Sequence, residues 1–88
     1  MSARLQREWI KVGERVATLR TGTNILMAKV ETIIPRNNLY LEAVDLNQAV
    51  SNLELHLRDA NPLVLCEIRR TLLDLFVRLV TLTNQLRN

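Results

Sequence analysis

The sequence contains few side chains of the types that perform catalysis or bind metal ions. His56 and Cys66 are each the single residue of their kind, and no set of cysteines or carboxylates around His56 would complete a metal site at helical spacing. The acidic residues are scattered and no glycine-rich phosphate loop is present. We therefore expect a protein that is not an enzyme and that uses neither a metal ion nor a cofactor.

Cations, by contrast, recur at helical spacing in the first part of the chain. On a projection of 100° per residue, six of them fall within about 80° of one another. They are Arg4, Arg7, Lys11, Arg15, Lys29 and Arg36. A helix rises ~1.5 Å per residue, so the row from Arg4 to Lys29 extends over about 38 Å. The net charge of +3 is polarised, because the first segment is basic and the second is acidic.

A row of cations with the small residues Thr18 and Gly22 in the same sector suits a phosphate backbone, because guanidinium groups reach phosphate oxygens without bulky neighbours in the way. The guanidinium fork of Arg also pairs with phosphate through two hydrogen bonds. Aromatic residues make up 3% of the chain, too few for platforms that stack single-stranded bases. The pattern predicts binding of duplex nucleic acid by shape, with double-stranded RNA preferred over DNA.

A charged face opposite an apolar seam is also what a soluble amphipathic helix shows, and this alternative stays open. Glu8 and Glu14 flank the cations closely enough to pair with Arg4, Lys11 or Arg15. In that case the row is a solvated face without a ligand. The sequence then describes a structural or adaptor subunit that binds a helical partner protein through spare apolar surface.

Two sites of helix-breaking residues divide the chain into three segments. Residues 35–38 (Pro-Arg-Asn-Asn) form one site, and Asn61 followed by Pro62 forms the other, with Asn38 and Asn61 placed to cap the helices that follow. The predicted helices cover residues 3–34, 39–60 and 62–87. Connections this short favour antiparallel neighbours.

Each segment carries apolar residues at an alternating spacing of four and three, which defines a heptad seam typical of coiled coils and helical bundles. The first seam is Leu5, Trp9, Val12, Val16, Leu19, Thr23, Leu26, Val30 and Ile33. The second is Leu39, Ala43, Leu46, Val50, Leu53 and Leu57, and the third is Leu65, Ile68, Leu72, Leu75, Leu79, Leu82 and Leu86. The sequence thus predicts an all-α fold, an antiparallel three-helix bundle in one domain, residues 1–88.

The stretch around Gly22 is the weak point of the first segment. Glycine costs about 1 kcal/mol relative to alanine inside a helix, and Asn24 has the residue type of a new helix cap. The seam nevertheless continues through Gly22 without a skip, so we expect one long helix rather than two short ones. Gly13 and Gly22 allow either a close helix approach or space for a ligand backbone.

The third segment has more apolar surface than its own chain can cover. A chain of 88 residues buries only about 60% of its unfolded surface, and contiguous apolar patches are rare on soluble monomers. We therefore predict a homodimer or a larger helical assembly. The predicted interface residues are Leu73, Phe76, Val77, Val80, Leu41, Val44 and Leu55.

Four single residues have preferred structural roles. Trp9 is expected as a core anchor, and His56 at the rim of its seam, with a pH-sensitive interface contact as the alternative. Cys66 falls within the apolar arc of the third segment, which favours a buried thiol over a redox-active one. Arg69 projects into the same arc, so we expect a salt bridge to Asp45 or Glu54 of the second segment, at the rim or buried.

The remaining features concern location. A single Cys excludes a disulfide framework, and the first residues lack the apolar run of a signal peptide, so an intracellular setting, cytoplasmic or nuclear, is expected. Five charges between Leu63 and Leu82 argue against a membrane span.

In size, helical content and basic helical face the chain is similar to the small dimeric RNA-silencing suppressors of nodaviruses, a similarity of architecture rather than of motifs.

Overall fold

Three helices account for most of the chain. The computed structural model describes residues 3–32, 38–59 and 61–87. Helix α1 covers Ala3–Val30 and α2 covers Asn38–Asp59, while a 3₁₀ turn at Pro62–Val64 leads into α3, Leu65–Arg87. The helices pack against one another, and the described residues include no strand. The predicted all-α three-helix bundle is confirmed.

Helix α1 continues through Gly22 without a break, as the uninterrupted seam predicts. The hydroxyl groups of Thr18, Thr21 and Thr23 each donate to the carbonyl oxygen four residues earlier, at 2.8 to 3.1 Å. Their hydroxyl groups therefore find their hydrogen-bond partners within the helix. The helix ends at Val30 rather than at residue 34, and residues 31 and 32 form a turn. Ile33 and Arg36 lie outside the described residues.

The predicted seams form the core. The fully buried apolar side chains all come from the three heptad patterns, and they are Val12, Val16, Leu19, Leu26, Val30, Ala43, Leu46, Val50, Leu53, Leu65, Ile68, Leu72, Leu75 and Leu82. Thr23 is the buried polar member of the same set. The remaining described seam residues are half-buried. Trp9, the predicted core anchor, is half-buried and packs against the edge of this core.

Contacts between side chains fix the helix directions. Arg20 of α1 donates a hydrogen bond to Ser51 of α2. Trp9, near the start of α1, lies near Leu57, close to the end of α2, so α1 and α2 are antiparallel. Helices α2 and α3 are likewise antiparallel, which leaves α1 and α3 parallel. The molecule is a rod of 49 × 19 × 17 Å.

The entry into α3 differs from the prediction by one turn. The side-chain oxygen of Asn61 accepts the backbone N–H of Leu63 at 2.9 Å, which is the capping role expected of Asn61. The capped turn is a 3₁₀ turn, however, so α3 itself begins at Leu65 instead of residue 62. None of the helices within the described ranges is long and apolar enough to cross a membrane.

Gly22 marks a close approach of α1 to α3. A Cβ atom at this position would lie 2.7 Å from Cδ2 of Leu79, which is shorter than real carbon contacts allow. At Gly13 a Cβ atom would meet no atom within 4 Å. Of the two roles open to these glycines, close helix packing is therefore observed at Gly22.

Candidate nucleic-acid interface

Five of the six predicted phosphate-binding cations lie on one helix and are exposed to solvent. They are Arg4, Arg7, Lys11, Arg15 and Lys29 of α1, and we call this set the basic face. Because α1 is a single helix, their spacing is fixed by its geometry. The sixth cation, Arg36, lies outside the described residues.

The three ion pairs among the described residues involve cations outside the basic face. Arg20 pairs with Glu54 at 2.7 Å, Arg69 with Glu8 at 3.1 Å, and Arg78 with Asp45 at 3.1 Å. Within the described ranges, none of the five cations of the basic face pairs with a carboxylate. Their charges are therefore not neutralised by the neighbouring acidic residues that the sequence offered as partners.

The predicted partner of Arg69 is wrong. We expected Asp45 or Glu54 of α2, but Arg69 pairs with Glu8 of α1. The reason is that Arg69 leaves α3 on the side that faces α1, whereas Arg78 leaves it on the side that faces α2 and takes Asp45. Glu54 is bound by Arg20. Glu8, a candidate partner of the basic face, thus forms its ion pair with a residue of α3.

Arg20 forms a polar network that the sequence analysis missed. Its Nε and Nη2 atoms both donate to the Glu54 carboxylate. Nη1 donates to Asn47 Oδ1 at 2.6 Å, and Nη2 donates to Ser51 Oγ at 2.8 Å. A signal for this network exists, because Asn47, Ser51 and Glu54 each follow a seam residue and form a polar row beside the α2 seam. The network joins α1 to α2, so Arg20 is not available to a ligand.

A groove runs between α1 and α3 beside the basic face. It is lined by Lys11, Val12, Glu14, Arg15 and Thr18 of α1 and by Arg69 of α3. A second pocket shares Arg15, Thr18 and Arg69 with it and is otherwise lined by Leu72, Leu73 and Phe76 of α3. Three cations and the carboxylate of Glu14 therefore border one groove of about 570 Å³, and the adjoining pocket is the apolar one. The groove connects the basic face with the outer surface of α3.

The predicted burial of Cys66 is wrong, because the thiol is exposed. The apolar arc of α3 is broader than the part of it that α1 and α2 cover, and Cys66 lies on the uncovered part. His56 is exposed beside its seam, at the predicted rim. Neither residue belongs to a group of three or more His, Cys, Asp or Glu able to hold a metal ion in the part of the chain that the structure describes.

The predicted interface residues lie on two separate faces. On α3, Leu73, Val77 and Val80 are 65%, 58% and 56% exposed, whereas Phe76 is half-buried against the core of its own chain. On α2, the exposed residues are Leu41, Val44 and Leu55. The α2 row is interrupted by the exposed polar residues Gln48 and Asn52, so the α3 row is the more continuous apolar surface.

No protein-family model matches this sequence, and comparisons with curated proteins and with solved structures give no match either.

Proposed function

We propose that this protein binds duplex nucleic acid, with double-stranded RNA preferred, through phosphate contacts from the basic face of α1. Binding is independent of sequence, because cations on one helix face contact backbone phosphates without reading bases. The protein acts without catalysis, as a binding module.

One observation carries the proposal. Arg20, Arg69 and Arg78 each hold a carboxylate of the same chain, whereas the five cations of the basic face pair with none of the described carboxylates. Arg58, Arg70 and Arg87 are also exposed and without an ion pair among the described residues, but they are divided between α2 and α3, whereas the basic face gathers five such cations on one helix. A solvated face whose charges serve only the fold would be expected to use Glu8 and Glu14 as partners. Glu8 pairs with α3 instead, so the basic face keeps its charge for an external anion.

The dimensions of the basic face suit a duplex. Arg4, Arg7, Lys11 and Arg15 lie within about 16 Å of helix length, and Lys29 follows after ~21 Å. A duplex presents a phosphate every ~1.7 Å along its axis when both strands are counted, so a straight row of this length meets several. Five contacts predict a logarithmic salt slope of about −4.5, a loss of roughly 500-fold in affinity between 50 and 200 mM salt.

A binding titration with a mixed-sequence RNA duplex of about 20 base pairs, which exceeds the length of the basic face, tests the proposal. The triple variant Arg7→Ala/Lys11→Ala/Arg15→Ala should bind far more weakly and should show a salt slope reduced by about 3. The matched control is Arg58→Ala/Arg70→Ala/Arg87→Ala, which removes the same charge from exposed positions on α2 and α3. The control should retain most of the affinity.

Two outcomes would overturn the proposal. The first is the absence of binding by the unmodified chain at 50 mM salt. The second is an equal loss of affinity in both triple variants, since the net charge alone would then explain binding. A parallel titration with duplex DNA of the same sequence tests the RNA preference, which equal affinities would contradict.

The proposed functional unit is a homodimer that forms through the outer face of α3. Leu73, Val77 and Val80 follow one another at spacings of four and three, so they form a continuous apolar row on one helix face. Apolar rows of this kind on soluble proteins mark interaction surfaces. A two-fold interface would place the same row of a second copy on it.

Sedimentation of the purified chain at micromolar concentration tests the dimer. The variant Leu73→Gln/Val77→Gln should sediment as a monomer, while Leu41→Gln/Val44→Gln, which alters the α2 face equally, should remain dimeric. An unmodified chain that sediments as a monomer would refute the dimer. The exposed apolar rows also favour a second candidate, an adaptor subunit with a helical protein partner, which predicts no salt-sensitive affinity for RNA.

A further inference from the structure

Arg69 belongs to the same surface as the basic face although it lies on a different helix. It borders the groove between α1 and α3, together with Lys11 and Arg15. The sequence placed Arg69 near α2, and only the fold brings these three cations to one groove. We infer that this groove holds a backbone phosphate of the bound duplex, and that Arg69 is the third cation to contact that phosphate. In the free protein Arg69 is instead paired with Glu8.

This inference rests on the proposed function and adds a second helix to the binding surface. The two walls supply different groups. Lys11 and Arg15 contribute cations from α1, whereas α3 contributes Arg69 next to Leu73 and Phe76. Lys11, Arg15 and Arg69 are exposed, so a phosphate in the groove would be attracted as a charge near a protein surface is, by an interaction that salt screens. A phosphodiester in the groove would therefore contact three cations, with Glu14 as the acidic group beside them.

The pair between Arg69 and Glu8 allows an exchange of partners. The two side chains are 42% and 32% exposed, and they meet through a single contact of 3.1 Å. Exposed ion pairs of this kind contribute little to stability, so Arg69 can leave Glu8 for a phosphate at small cost. Arg20 shows the opposite arrangement, because its side chain is 22% exposed and its guanidinium group donates to three residues of α2.

Helix α3 offers a closely matched control for Arg69. Arg78 lies on the same helix, is 43% exposed, and also forms one ion pair at 3.1 Å, but its partner is Asp45 on the side that faces α2. Alanine substitution at Arg69 or Arg78 thus removes the same charge and a similar contact. Only Arg69 borders the groove.

The experiment compares Arg69→Ala with Arg78→Ala in the duplex RNA titration. Arg69→Ala should weaken binding roughly tenfold and reduce the salt slope by about 1, because one phosphate contact is lost. Arg78→Ala should change neither value beyond twofold. Circular dichroism of both variants establishes that the helices are intact, and a further variant, Arg69→Lys, should recover part of the affinity because it restores the charge.

The Glu8 substitution tests the exchange itself. Glu8→Gln frees Arg69, so as a single substitution it should raise the affinity for the RNA duplex several-fold. In the Arg69→Ala background the same change should have a smaller effect, because no cation is left to free. Glu14→Gln, which removes an acidic group that also borders the groove, gives the effect of charge alone.

The results separate this inference from the proposed function. If the unmodified chain binds and the basic-face variant does not, the proposed function stands. Equal effects of Arg69→Ala and Arg78→Ala would then overturn the groove site alone. An effect of Glu8→Gln that is the same in both backgrounds would overturn the exchange of partners.

Discussion

Gly22 of α1 packs so closely against Leu79 of α3 that a Cβ atom at position 22 would lie 2.7 Å from Leu79 Cδ2, and the leucine side chain would have to shift to admit it. The parallel helices α1 and α3 approach each other at this point because glycine has no Cβ atom. Gly22 therefore serves packing. Its low helix propensity destabilises α1, and the close approach of the two helices is what it provides in return.

The two glycines of α1 should respond differently to alanine. Gly13→Ala should stabilise the protein by about 1 kcal/mol, since alanine favours the helix and its Cβ meets no atom within 4 Å. In Gly22→Ala the same gain is opposed by the contact with the end of the Leu79 side chain, which must shift, so this variant should be less stable than Gly13→Ala by up to about 1 kcal/mol. Urea denaturation measures both, and equal stabilisation would show that Leu79 moves freely.

The Arg20 network should contribute more to stability than the other ion pairs. Arg20→Ala should lower the free energy of unfolding by about 1 to 2 kcal/mol, because a part-buried guanidinium group with several hydrogen bonds is lost. Arg78→Ala, the control, should cost less than ~0.5 kcal/mol, since Asp45 is 78% exposed. A double-mutant cycle of Arg20→Ala with Glu54→Gln should give a coupling energy, and additive effects would contradict the network.

Thr23 is a buried polar residue whose hydroxyl group is not needed for packing. The hydroxyl donates to the carbonyl oxygen of Leu19 at 2.8 Å, within the same helix. Thr23→Val keeps the shape and should leave stability unchanged or raise it by up to about 1 kcal/mol. Thr23→Ser removes the methyl group from a fully buried site and should cost about 1 kcal/mol. Thermal unfolding distinguishes the two, and a destabilised Thr23→Val variant would show that the hydroxyl group matters.

Two leucines on α2 should differ sharply on truncation. Leu46 is fully buried and Leu41 is 58% exposed. Leu46→Ala should cost about 2 to 5 kcal/mol, enough to unfold a domain of marginal stability, while Leu41→Ala should cost less than ~0.5 kcal/mol in the monomer. Circular dichroism at low protein concentration measures both. A folded and stable Leu46→Ala protein would contradict the packing described for α2.

The core could be predicted from the sequence because heptad spacing is a local property. Every buried apolar residue in the described ranges belongs to one of the three seams, and the burial of Thr23 also follows from its place in the first seam. The ends of helices were less predictable, since a 3₁₀ turn and a helix share the same capping residue, Asn61. The spacing of apolar residues determines which side of a helix faces inward, but it does not determine at which residue the helix begins or ends.

Contacts between helices were the least predictable part of the site. A projection of α3 places Arg69 and Cys66 within the apolar arc, but it does not show how far α1 and α2 cover that arc. The pairing of Arg69 with Glu8, and the exposure of Cys66, depend on the relative positions of whole helices. The Arg20 network was missed for the same reason, although the polar row beside the α2 seam was present in the sequence.

The unbroken course of α1 has a consequence for the entropy of binding. A helix of 28 residues holds its cations in place before any ligand arrives, because the packed core beneath them already fixes the backbone. Only the side chains of the basic face lose freedom when an anion is bound, whereas a flexible basic peptide must also order its main chain. The proposed interface is in this sense preorganised, and an anion whose charges are spaced differently would have to adapt its own shape to the helix.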